Sequence, residues 1–286
     1  MKIYPDPSAW IKAIAWKHLG ANIRGYKWLT WLGAPKENSF GGLSFIRPQE
    51  GKVVDMDDDL VLIKTKPSEF CVVAKDLLAM PVELNSNVKL TFYDLRDFDG
   101  RKSDGSEDPS EDGCRSMMLT GAKTYFPVIW EGRYPRRAKA VKANWTPIHN
   151  NPYLQDLIQQ MEGISAGKGR NLVNVLVDAK GSNPVFFDPP EDESCHEDHS
   201  KWPSITTTVN SGKFSGQVVI RYDRAADDYE IILTPNEGAE IAHTRVYFDD
   251  LEPTLVEAIE DGSWQQIKVE VLKAAPKVKP QKLTAA

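Results

Sequence analysis

The chain has 286 residues, 41% hydrophobic and 27% charged, with a net charge of −6. That balance is too apolar for a disordered chain and too polar for a membrane-embedded one, and the length suits two domains. No apolar run approaches the ~20 residues that cross a bilayer, and residues 9–16, the richest early stretch, are broken by Lys12. Neither membrane insertion nor secretion is therefore expected. Cys71, Cys114 and Cys195 are too few and too scattered for a disulfide framework, which fits a cytoplasmic, reducing setting.

The charge is uneven along the chain. Residues 1–50 hold seven Lys and Arg against three acidic residues, and a second basic cluster comprises Arg133, Arg136, Arg137, Lys139 and Lys142. Acidic runs fall at 97–112 and 188–198. Net acidity disfavours a general nucleic-acid binder, because phosphate must be neutralised by Lys and Arg.

In chain order, residues 8–19 read as an amphipathic helix capped by Ser8, followed by an aromatic group at 26–32. From Gly51 the texture becomes β: 53–54, 60–63, 70–73 and 88–92 are short apolar runs separated by turn residues. A small barrel-like module over 51–132 is expected, completed by a strand at 125–130, with 98–113 as a long mobile loop. Residues 133–200 read as a basic connector, two helices at 152–161 and 171–179, a short strand at 184–188 and an acidic loop. Strands at 205–209, 217–222, 229–233 and 245–248, a helix at 251–259 and a last strand at 264–272 make an α+β module over 201–272. The remainder, 273–286, lacks periodicity and reads as a disordered tail. The fold class expected is α+β: a β-barrel-like module, a short helical segment, then an antiparallel sheet with one packed helix.

Few constellations carry chemistry. Cys195, His196 and His199 gather a thiolate and two imidazoles within five residues, but zinc needs four converging ligands and the spacing matches no familiar metal motif. The run 163–169 departs from a phosphate-binding loop, since Gly169 rather than Ser or Thr follows Lys168. No Gly-x-Ser-x-Gly elbow occurs, so no catalytic residue and no cofactor is assigned. The Trp-rich basic N-terminus offers three roles: core packing or partner contact for Trp10, Trp28 and Trp31, stacking of single-stranded bases, or anchoring at a membrane interface. Trp10, Trp28, Trp31, Arg133, Arg136 and Arg137 are the partner-binding candidates.

Gly51, Val53, Val54, Asp55, Asp57, Asp58, Asp59, Leu60 and Val61, followed by Phe70, Asp76 and then Val88, Leu90 and Phe92, form a series. It resembles the KfrB-type domain of conjugative-plasmid accessory proteins, including KlcB-like proteins. The resemblance implies plasmid maintenance, host-range or interference functions executed by binding, and it transfers no catalytic residue. The expectation is a non-enzymatic accessory protein acting on a protein partner, such as a transfer ATPase, a coupling protein or a host defence component. A nucleic-acid-binding regulator using 1–50 and 133–142 is the first alternative, and a metal-dependent enzyme centred on His196 and His199 the second.

Overall fold

Helix α1, Pro7–Ile14, begins where the Asp6 side chain accepts a hydrogen bond from the Ser8 backbone N–H at 2.9 Å. The cap is thus Asp6 and not Ser8, because Pro7, with its fixed φ and missing N–H, takes the first helical position. The structure is a computed structural model and describes residues 6–33, 48–93, 95–102, 124–133, 145–149, 151–192 and 198–276. The loop expected at 98–113 and the tail expected at 273–286 lie largely outside the described residues. The chain divides into two units, 1–94 with 264–286 and 95–263. Both combine sheet and helix, and the class is α+β.

Unit 1 contains β1 (Lys27–Trp31), β2 (Gln49–Met56), β3 (Leu60–Lys66), β4 (Glu69–Ala74), β5 (Asn87–Thr91) and β13 (Lys268–Lys273) in one sheet. Its order is β1-β4-β3-β2-β5-β13, with β1 parallel to β4 and the other pairs antiparallel. The β2–β3 hairpin closes on Asp57, whose carboxylate accepts from the N–H groups of Asp59 and Leu60 at 2.9 and 2.7 Å. Gly51 lets β2 lie on β3, since a Cβ there would stand 2.4 Å from the Lys64 carbonyl oxygen. β3 and β4 are buried because their runs are almost wholly apolar, and Ile11 of α1 and Ala15 directly after it pack against Leu60, Leu62, Phe70 and Val72.

This sheet does not close into a barrel, so barrel-like describes it only loosely; β1 and β13 are its edges. Residues at its two edges nevertheless meet. Trp31, at the end of β1, stacks on Phe92 at 5.0 Å and donates its indole N–H to the Gln265 carbonyl at 3.1 Å. Leu78, beyond β4, bridges Ile267 just before β13. The aromatic group at 26–32, read from sequence without a strand, supplies β1; its parallel partner β4 lies far along the chain, so no local hairpin signal marks it.

Unit 2 contains α2 (Pro152–Gly163), α3 (Leu172–Asp178) and α4 (Leu251–Ile259). Its sheet comprises β8 (Ser182–Phe187), β9 (Ser204–Asn210), β10 (Ser215–Asp223), β11 (Asp228–Pro235) and β12 (Ile241–Val246) in the antiparallel order β12-β11-β10-β9-β8. Alternate residues Val218, Ile220, Ile231 and Leu233 point to one core with Leu157, Ile158, Leu172, Leu176 and Leu255. Three helices therefore share the sheet face for which one was expected. Arg170 fixes two of them: its guanidinium reaches Asp178 in α3 at 2.7 Å and Glu260 just past α4 at 2.9 Å.

Two strands find other partners than the sequence suggests. The run at 125–130 does not complete the first sheet; β6 (Val128–Ile129) pairs in parallel with β7 (Thr146–Pro147) inside unit 2. The strand expected to close the 201–272 module is β13, and it pairs with β5 of unit 1. The chain thus leaves unit 1 after β5 and returns to it for β13, and the sequence-based boundaries at 50, 132 and 200 fall inside the two units. The division also sorts charge. Unit 1 carries 17 Lys and Arg against 12 Asp and Glu, and unit 2 carries 18 against 29, so their net charges are +5 and −11.

Candidate binding groove

Helix α2 is built to show one face to solvent. Asn151 caps it, accepting from the N–H groups of Tyr153 and Leu154, and Pro152 takes the first turn. Leu154, Leu157, Ile158 and Met161 recur at helical spacing and are buried, which leaves Asp156 and Gln159 outward and Gln160 half-buried. The helix ends where Ile164 N–H bonds the Gln160 carbonyl at 2.8 Å, and Gly167, Lys168 and Gly169 then turn with positive φ to deliver Asn171 as the α3 cap.

A groove runs along this exposed end of α2. Asp156, Gln159, Gln160 and residues 163–165 line it, together with Phe248 from the 3-10 turn Phe248–Asp250 that precedes α4. Phe248 is 50% exposed, and Tyr247, which precedes it in the chain, is exposed as well. Behind the groove, the Tyr229 hydroxyl donates to Gln160 Oε1. Burial, then the carboxylates of Asp227 and Asp156, push Tyr229 up to about 12, so its proton stays on at neutral pH. Tyr222 packs between Tyr229 and Tyr153, at 5.4 and 6.1 Å, and donates its hydroxyl to Asp227 at 2.6 Å. Arg224 lies 4.4 Å over Tyr153.

The groove therefore offers a carboxylate, two amides and an aromatic face beside the end of a helix whose last turn holds no basic residue. The partial negative charge of such a terminus adds to that of Asp156. This is the chemistry of recognising a cationic side chain with an adjoining apolar group.

The residues singled out from sequence are dispersed. Trp10 and Trp28 are half-buried against the apolar cluster of unit 1, and Trp31 is 2% exposed. Arg133, in unit 2, pairs with Glu162 and lies over Trp130. His199 stacks on Trp202 at 3.9 Å and stands 3.6 Å from Glu230. Cys195, His196, Arg136 and Arg137 lie outside the described residues. Among the described residues no three His, Cys, Asp or Glu side chains converge in a metal-binding geometry, and no helix is long and apolar enough to cross a membrane. Sequence reasoning missed Asp156, Gln160 and Phe248, which no motif joins. Comparison with protein-family models, curated proteins and solved structures returned no match.

Proposed function

We propose that this protein is a non-enzymatic accessory factor of a plasmid or other mobile element, and that it acts by binding another protein through the groove of unit 2. The observation that carries the reading is Phe248, half exposed in a groove that also presents Asp156. Exposed aromatic residues beside complementary charge are typical anchors of protein contacts. The excess of acidic residues in unit 2 selects a partner segment that presents Lys or Arg next to an apolar side chain. The mobile-element setting rests on the KfrB-type resemblance at the start of β2 and onward. It makes a transfer ATPase, a coupling protein or a host defence component the class of partner, with inhibition of a competing plasmid's transfer as one outcome.

The test is affinity capture of the full chain from cells carrying a conjugative plasmid, alongside a Phe248→Ala, Asp156→Asn variant. A stoichiometric protein recovered by the parent and lost by the variant supports the reading. Equal recovery by both moves the contact away from the groove, and unchanged plasmid transfer on overexpression argues against fertility inhibition.

A further inference from the structure

Unit 1 carries a surface that the groove of unit 2 does not use. On the face of its sheet that packs against α1, one row of cross-strand partners runs Lys52 on β2, Lys64 on β3, Phe70 on β4 and Trp28 on β1. Like charges directly opposite on neighbouring strands repel, and β-sheets ordinarily avoid them. Among the described residues, Lys64 Nζ donates to the His18 carbonyl at 2.5 Å, which relieves the repulsion in part. That bond brings the Lys64 ammonium beside the turn Ala15–His18, which carries exposed Trp16 and Lys17. Asp55, the neighbouring carboxylate, is engaged by His18 Nε2 at 2.9 Å.

Trp16 is 53% exposed, whereas Trp31 in the same unit is buried. It is also held in place: its ring meets Tyr26 edge-on at 5.3 Å, and Tyr26 meets buried Phe70 edge-on at 5.9 Å. A large aromatic ring fixed from behind and open in front loses little freedom on stacking, and so does not have to be ordered by its ligand. The net charge of the chain hides the setting, because the +5 of unit 1 is outweighed by unit 2.

We infer that unit 1 binds single-stranded nucleic acid, with Trp16 stacking on a base and Lys17, Lys52 and Lys64 meeting the flanking phosphates. An anionic backbone relieves the opposed lysines, and an unpaired base gives the indole a flat partner that a duplex withholds. The inference is independent of the groove, since it uses no residue of unit 2.

The experiment is fluorescence anisotropy of a labelled oligothymidylate titrated with the full chain across a salt series. Binding at low salt is expected, weakening linearly on a log–log plot by about 0.7 for each phosphate neutralised. Trp16→Ala should lower affinity about tenfold with the slope unchanged, while Trp16→Tyr should restore most of it. Lys17→Gln with Lys52→Gln should flatten the slope instead. Absence of a complex at low salt overturns the inference. So does a Trp16→Ala variant that binds like the parent, or equal affinity for a duplex of the same length, because either means polyanion attraction alone. The Phe248→Ala, Asp156→Asn variant should bind the oligonucleotide normally, which separates failure here from failure of the groove reading.

Discussion

Arg133 and Glu162 meet at 2.6 Å, and the same carboxylate oxygen accepts the Phe126 backbone N–H at 3.0 Å while the guanidinium lies 4.4 Å over the Trp130 ring. One ion pair thus ties the last turn of α2 to the segment that carries β6. The arginine sorted by sequence with a basic partner-binding cluster is spent on this internal contact.

Both side chains of the pair are largely buried, at 13% and 9% exposure. Glu162→Ala leaves a buried guanidinium and a backbone N–H without that acceptor, and should cost about 3 kcal/mol in urea unfolding. Arg133→Ala should cost less, because Phe126 N–H keeps its partner.

Asp228 is held above the usual carboxylate range, first by burial and then by Asp223, with Arg245 partly opposing. The folded state therefore binds its proton more tightly than the unfolded state does. Stability from this group is greatest below the unfolded value of about 3.9 and is lost as pH rises through the folded one. Asp228→Asn should raise the Tm by about 2 °C at pH 7, with the gain vanishing below pH ~4. Thermal melts at the two pH values check the sign.

Deleting residues 264–286 removes β13 from β5 and takes away both Trp264, which packs edge-on against Tyr93 at 5.2 Å, and the Gln265 carbonyl that Trp31 bonds. Amides of β5 should lose hydrogen-exchange protection and unit 1 should unfold more easily, while protection in β9–β11 persists. Loss of protection in both units alike would show that they unfold together.

Gly51→Ala drives a methyl group into the Lys64 carbonyl and the Ile63 side chain, the contacts falling at 2.4 and 2.8 Å. β2 must then shift off β3, at a cost of roughly 2 kcal/mol or more. Because Lys52 follows directly, the same variant should also weaken oligonucleotide binding, measurable in the anisotropy assay above.

What the sequence determined by itself was local. The alternation in 217–222 and 229–233, the Asp-rich turn before Leu60 and the Pro and Asn signals around 151–163 located β10, β11, the β2–β3 hairpin and α2 to within a few residues. Each depends on periodicity or turn chemistry contained in one short window. The tertiary structure decided every pairing of distant segments. Lys268–Lys273 reads as the next strand after α4, yet its hydrogen bonds go to β5. Trp16 and Trp31 look alike in a basic, aromatic stretch, yet one is exposed and the other buried under Phe92 and Gln265. Asp156 and Phe248 lie far apart in the chain, yet they line one groove. Burial and strand partnership are settled by which remote surfaces close over a segment, and no window of the chain contains that information.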